Sequence, residues 1–254
     1  MNENRFIENI LPEAIETMPL ASFPGEICVI DSLSEDYRQA VRYLKRQKIL
    51  GFDTEICVID SLSEDYRRAV RYLKRQKILG FDTETKPCFT PRTPNPGVAL
   101  LQLSGGGKAF LFRIKSLGMQ RALCNILANP DIVKVGAATT DDVRGLQRYA
   151  KFKPSSFVDL QKIVPEWGIR DKSVKKMAAI ILGVKVSKTQ QLSNWEADTL
   201  SEPQMKYAAT DAWICREMYL KLKNTELKPL TPTTVAFKGD VVSVEIIENK
   251  EHIW

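Results

Sequence analysis

Three places in this chain put carboxylates where they could do chemistry. Asp82 and Glu84 stand two residues apart in Phe81-Asp82-Thr83-Glu84, at the end of an apolar run from Ile78 that reads as a strand. Residues i and i+2 of a strand face the same way, so the two carboxylates share one face. Like charges this close repel unless a cation lies between them, and an all-oxygen pair suits Mg2+ or Mn2+. An isolated D-x-E is also what a solvated strand end looks like. Asp211 bears on that choice. Its helix opens on the capping box Ser201/Gln204 and carries Ala208, Ala212, Cys215 and Tyr219 as an apolar stripe, widened by Ile214 and Met218. Asp211 falls within the stripe, and a carboxylate buried there is costly unless it is paired or binds a metal. Tyr207, one turn earlier on the same side, brings a hydroxyl to whatever Asp211 binds; the alternative is a core tyrosine beside a satisfied aspartate. Asp141 and Asp142 follow Thr139-Thr140 at a strand-to-helix junction. Alone they read as helix caps, although such a junction also presents ligands to a site.

The rest of the composition narrows the chemistry. There is one histidine, His252, which nearly excludes Ser-His-Asp and Cys-His hydrolases and histidine-built zinc sites. The five cysteines (28, 57, 88, 124 and 215) are scattered and never form C-x-x-C, as expected of a reduced, cytoplasmic protein without disulfide partners. No run reaches the ~18 apolar residues of a membrane span, and the charged N-terminus has no signal-peptide core behind it. Lysine and arginine number 37 against 31 acids, a net charge of +6 that permits a polyanionic partner. Ser104-Gly105-Gly106-Gly107-Lys108 invites a phosphate-loop reading, but Gln102 and Ala109 stand where that motif needs glycine and Ser or Thr; a hairpin turn fits better.

The elements that would position these residues include a repeat. Residues 26–55 and 55–84 are identical except for Gln39 against Arg68, an offset of 29 positions. Two copies are too few for a solenoid; they point to a recent duplication or to an error in assembling the sequence. Each copy reads strand, helix, strand. In the second, the strand is Ile56–Ile59, Ser61 and Glu64 form a capping box, and Tyr66, Ala69, Val70 and Leu73 make the apolar face. Only the second copy leads on through a Pro-rich loop to strands at 98–103 and 109–112. Beyond these come a helix around 119–128, a strand at 133–137, a helix from Asp142 to about Tyr149, a short strand at 157–160 and helix to about Leu222. The pattern predicts an α/β fold with a mixed sheet flanked by helices. The domain reading is a helical N-terminal extension (1–25), the first copy as an appendage (26–54), the main domain (55–224) and a tail (225–254) with a hairpin turning at Gly239-Asp240. The second copy should supply the central strand. Otherwise about 40 residues of buried type would loop across the site, against a usual connection of ~4–6.

In order and spacing, Phe81-Asp82-Thr83-Glu84, Asp142-x-x-x-Leu146 and Tyr207-x-x-x-Asp211 resemble the three motifs of the DEDD superfamily of 3′–5′ exonucleases. The Y-x-x-x-D form is similar to the tyrosine branch, with RNase D and the Werner-syndrome-type exonucleases. Residues 80–87 (GFDTETKP), 100–103 (LLQL), 191–195 (QLSNW) and 207–212 (YAATDA) extend the resemblance over roughly residues 55 to 222. No counterpart of the helical C-terminal domain of RNase D is apparent, so a stand-alone Werner-type enzyme is expected. The resemblance implies a ribonuclease-H-like sheet of three antiparallel strands plus parallel ones. It also implies two-metal hydrolysis from the 3′ end that releases nucleoside 5′-monophosphates. Asp82 would bridge both Mg2+ or Mn2+ ions, Glu84 and Asp211 would complete one site, Asp142 would hold the second largely through water, and Tyr207 would orient the attacking water. Asp142 is preferred to Asp141 because the family places a large apolar residue four positions on. The substrate would be single-stranded or 3′-recessed nucleic acid, with Lys86, Arg92, Arg148 and Lys188 as candidate phosphate contacts. The alternatives are an impaired nucleic-acid-binding homologue and an RNase D-like trimmer of RNA 3′ ends.

Overall fold

The computed structural model describes residues 6–24, 26–28, 55–88 and 96–230. The first copy beyond Cys28, Arg92 and the 235–247 hairpin therefore lie outside the described residues. One mixed sheet organises the rest. Its strands are β1 (Glu26–Cys28), β2 (Glu55–Ile59), β3 (Ile78–Thr85), β4 (Val98–Ser104), β5 (Lys108–Arg113), β6 (Val133–Gly136) and β7 (Phe157–Asp159), in the order β1-β2-β5-β4-β3-β6-β7. β3, β4 and β5 are antiparallel, β6 and β7 run parallel to β3, and β2 and β1 run parallel to β5. This is the α/β mixed sheet that the sequence predicts. The second copy supplies β3 beside β4 and β6, while the first contributes an edge strand. β1 pairs with β2 in the register of the repeat, Glu26 opposite Glu55 and Cys28 opposite Cys57.

The helices are α1 (Pro12–Glu16), α2 (Glu64–Leu73), α3 (Ile114–Leu117), α4 (Arg121–Leu127), α5 (Thr139–Gln147), α6 (Leu160–Ile163), α7 (Val174–Leu182) and α8 (Glu202–Lys223). One face of the sheet, through Leu79, Phe81, Leu101, Leu103 and Phe110, packs on α2, α4 and α5. On the other face Ile56, Leu100 and Leu111 meet Trp195 and Ala208 of α8, while Val135 joins Met177 of α7 and Met218 of α8. β4 is covered on both sides, which is why it reads as an unbroken apolar run with one polar interruption, Gln102.

Several boundaries differ from expectation. α2 is capped by Ser63, whose hydroxyl accepts from Tyr66 N; Glu64 is its first residue and pairs with Arg67 and Arg71, so the Ser61/Glu64 box does not form. α5 begins three residues before Asp142, at Thr139, because Ala138 adopts a left-handed turn (φ 57°) that starts the helix early. Residues 183–200 are not helical. Gly183, left-handed at φ 70°, ends α7, and the chain then runs irregularly to Ser201. Of residues 6–24 only Pro12–Glu16 are helical, started by Pro12. The segment is a strap: Ala21 N donates to Lys185 O (2.7 Å), Phe23 N donates to Thr210 Oγ1 (2.9 Å), and Lys175 pairs with Glu16 (2.8 Å). Phe23 also packs edge-on against Trp213, which explains why α8 is buried on more than one side. Among the described residues no helix is long and apolar enough to cross a membrane.

Gly80 lets α8 lie directly on β3. A Cβ there would stand 1.8 Å from the Ala212 carbonyl oxygen, a backbone atom that cannot swing aside. We expect Gly80→Ala to lower stability by at least ~2 kcal/mol in urea denaturation, the scale of overpacking a tight core. An unchanged midpoint would mean that α8 is not seated on the strand.

Candidate active site

The close approach at Gly80 brings two elements of different period into one place. From β3, Asp82 and Glu84 follow Gly80 at two-residue steps on the face turned to α8. From α8, Tyr207 and Asp211 are one turn apart. Asp82, Glu84 and Asp211 each offer a carboxylate oxygen, and the three atoms lie within 4.8 Å of one another. Asp142 is outside this triad, one layer away on α5, where it accepts a hydrogen bond from Thr83 Oγ1 at 2.5 Å. Asp141 points outward and pairs with Arg144 at 3.2 Å. Neither aspartate caps α5 through its side chain.

Burial and mutual repulsion dominate the electrostatics. Burial raises Asp82 well above the usual carboxylate range, and the charges of Asp211, Glu84 and Asp142 raise it further. Glu84 is pushed up to about 9 by burial and then by Asp211 and Asp142. Burial lifts Asp211 to about 7, against the opposing pull of the Tyr207 hydroxyl and Lys188. Asp142 rises to about 6 through burial, partly offset by Thr83. Tyr207 is driven upward by burial and by the neighbouring carboxylates, so it stays a protonated hydroxyl beside Asp211. Four acids without enough cations to neutralise them form an oxygen-only donor set that fits a hard divalent ion.

A cavity of ≈ 190 Å³ opens on the triad, lined by Asp82, Tyr207 and Asp211 together with Lys188, Gln191 and Cys215. Its outer wall is the irregular segment after α7. Arg113 holds that segment through the carbonyls of Ala197 and Asp198, and Lys115 holds it through Glu196. Lys188 faces the acids from this wall. Lys86 is instead 4.0 Å from Glu196, and Arg148 is exposed at the C-cap of α5.

Sequence reasoning did not single out Thr83, which ties β3 to Asp142, or Asp159. The Asp159 carboxylate accepts from Ala138 N and Gln161 N, both at 3.0 Å, and so pins the turn that presents Asp142. The bond to Gln161 N is a local cap of α6, whereas the one to Ala138 N spans 21 residues and no local spacing marks it.

The raised carboxyls fix a pH dependence. Their protons are held in the folded chain and released from the unfolded one, so between their ordinary values near ~4 and their folded values the native state binds more protons. Stability from these groups is greatest below ~4 and is lost as pH climbs through about 6, about 7 and about 9, the folded values of Asp142, Asp211 and Glu84. In EDTA the melting temperature should fall from pH 5 to pH 9, and Asp211→Asn should flatten the fall. A melting temperature that rises over this range would contradict the clustered geometry.

Comparison with known proteins identifies the family of the chain. The model of the 3′–5′ exonuclease family matches residues 57–226. Exonuclease 3′–5′ domain-containing protein 2 of Drosophila melanogaster is 34% identical over 129 residues, 49% of this chain and 22% of the relative. Ribonuclease D of Musicola paradisiaca is 28% identical over 132 residues, 52% of this chain and 35% of the relative. The chain thus spans only about a fifth to a third of the length of these relatives. Among solved structures, the exonuclease domain of Aedes aegypti Nibbler superposes with a TM-score of 0.58 at 24% identity, covering 66% of this chain and 87% of that one; the likeness is one of fold. With a family model covering about two thirds of its length, the chain belongs to the 3′–5′ exonuclease family.

Proposed function

We propose that this chain hydrolyses nucleic-acid phosphodiesters from the 3′ end with two Mg2+ or Mn2+ ions and releases nucleoside 5′-monophosphates. The meeting of Asp82, Glu84 and Asp211 within 4.8 Å, beside a protonated Tyr207, carries the reading. Asp82, at the centre of the triad, would bridge the ions; Glu84 and Asp211 would complete one site; and Asp142 would serve the other from one layer away. Ions so held would supply the charge that acidifies a water and stabilises the leaving 3′-oxygen. Tyr207, kept as a hydroxyl, would orient that water as a hydrogen-bonding group, a role that supports reading the chain as one of the tyrosine branch. Lys188, exposed on the cavity wall, would meet the phosphate next to the cleaved bond, and the ≈ 190 Å³ cavity would take the terminal nucleotide. Phosphate contacts of this kind carry no base preference. The named relatives include a ribonuclease, which favours RNA 3′ ends among the substrates to be tried first.

Purified protein with Mg2+ or Mn2+ should shorten a 5′-labelled single strand or a recessed 3′ end stepwise, and EDTA should stop it. A ladder that persists in EDTA, or none with either ion, would sink the proposal. Tyr207→Phe should bind metal normally yet lose ~10²–10³-fold in rate, the scale for removing one positioning hydrogen bond. Unchanged turnover would return the tyrosine to a packing role. Of the two identical Phe-Asp-Thr-Glu segments, only the second lies in β3, so Asp82→Asn should abolish hydrolysis while Asp53→Asn leaves it intact. The reverse pattern would assign the site to the first copy.

A further inference from the structure

Gln102 breaks the apolar run of β4, and nothing around it in the fold repays the interruption. The residue is fully buried, and neither its amide nitrogen nor its amide oxygen has a hydrogen-bond partner. A primary amide offers two donors and two acceptor lone pairs, and leaving such groups dry is among the larger penalties a core side chain can impose. A leucine or methionine would fill the same place without that cost. Its surroundings are specific. β4 pairs with β5 on one side, where Gln102 faces Leu111, and with β3 on the other, where it faces Asp82. Directly opposed residues of an antiparallel pair put their side chains on the same face with Cβ atoms ~5 Å apart. That face is the one beneath α8, since Leu100 and Leu111 pack there against Ala208 and Ala209. Of its two cross-strand neighbours, the one that is not a hydrocarbon is Asp82.

We infer that Gln102 is a positioning residue for the metal site: its amide N–H groups orient the Asp82 carboxylate as a ligand, and the unpaired state is what the cation-free fold tolerates to have that donor ready. The inference rests on the reading that Asp82 holds a divalent ion. A carboxylate that ligates a cation has further lone pairs, and a donor to one of them would fix its angle and strengthen the site. The backbone N–H of Thr83 gives the Asp82 carboxylate one donor, which leaves its other lone pairs open to a second. A side-chain donor from the adjacent strand, in register, answers the need. Leu111→Met, on the far side of Gln102 from Asp82, preserves volume and is the control.

The experiment compares the parent, Gln102→Met, Gln102→Leu and the control by two readouts on the full chain: melting temperature in EDTA, and Mn2+ affinity from the free-ion resonance signal during titration. We expect both Gln102 variants to melt at or above the parent in EDTA, because an unsatisfied amide is gone. We expect them to bind Mn2+ ~10–100-fold more weakly, as when an outer partner of a ligand is lost. The control should match the parent in affinity. Mn2+ affinity within twofold of the parent in both variants overturns the inference. So does a melting temperature that falls in EDTA with no further effect on Mn2+ binding, because that pattern describes a structural amide. If the parent itself binds no Mn2+, the metal-site reading fails first and this inference falls with it.

Discussion

Three carboxyl groups confined to one half-buried volume repel one another, and much of the molecule serves to keep them there. β3 is held along its acid-bearing half by β4 and at its start, Ile78 to Gly80, by β6. α8 is held as well: its N-terminus is closed by the Ser201/Gln204 box, and Thr210 is tied to the strap through Phe23 N. The absent side chain at Gly80 sets the spacing between strand and helix. Repulsion that cannot be relieved by movement is relieved by protons at low pH or by cations at neutral pH. The fold therefore holds together a cluster that could take up a metal ion, and the confinement is a cost to the charged, metal-free state.

The wall opposite the acids is assembled from parts that the sequence scatters widely. Lys175 and Lys185 both turn to Glu16 of α1, by an ion pair at 2.8 Å and by a bond to the Glu16 carbonyl at 2.8 Å. Two of the wall's lysines are thus engaged by the strap, while the charge of Lys188 reaches Asp211. Residues 16–23 accordingly pack on α7, the segment after it and α8.

How much of this was legible in the sequence follows from the range of each interaction. A two-residue step and a four-residue step are local, so the faces shared by Asp82 and Glu84 and by Tyr207 and Asp211 could be read directly. So could the cap of α8, whose partners are three residues apart. The cap of α2 was misread because Ser61 and Ser63 both precede Glu64. The S-x-x-E rule selects the former, whereas the fold uses the latter and leaves Glu64 to its arginines. The stretch after Gly183 holds enough apolar residues to imitate a helix, but Trp195 is buried there by an irregular backbone that Arg113 secures from another strand. Thr83 and Gln102 stand inside the quoted motifs without a role that the sequence could assign, and the bond of Asp159 to Ala138 N joins segments 21 residues apart that meet only once the sheet has formed. The order of the motifs along the chain indicated that the acids belong together; the close packing of α8 on β3 is what supplies the physical reason.

The pairing of β1 with β2 has a consequence for how such a chain tolerates growth. Glu26, Ile27 and Cys28 lie beside Glu55, Ile56 and Cys57, each residue next to its own duplicate. A sheet extended at its rim by a copy of its rim strand presents the same sequence of residues to the outside after the addition as before it. No interior strand enjoys this freedom, because a residue inserted beside β3 would change the partner of every position from Ile78 to Thr85. The margin of the sheet is therefore where this architecture can absorb a repeated strand without rewriting its centre, and β1, the described part of the first copy, lies at that margin.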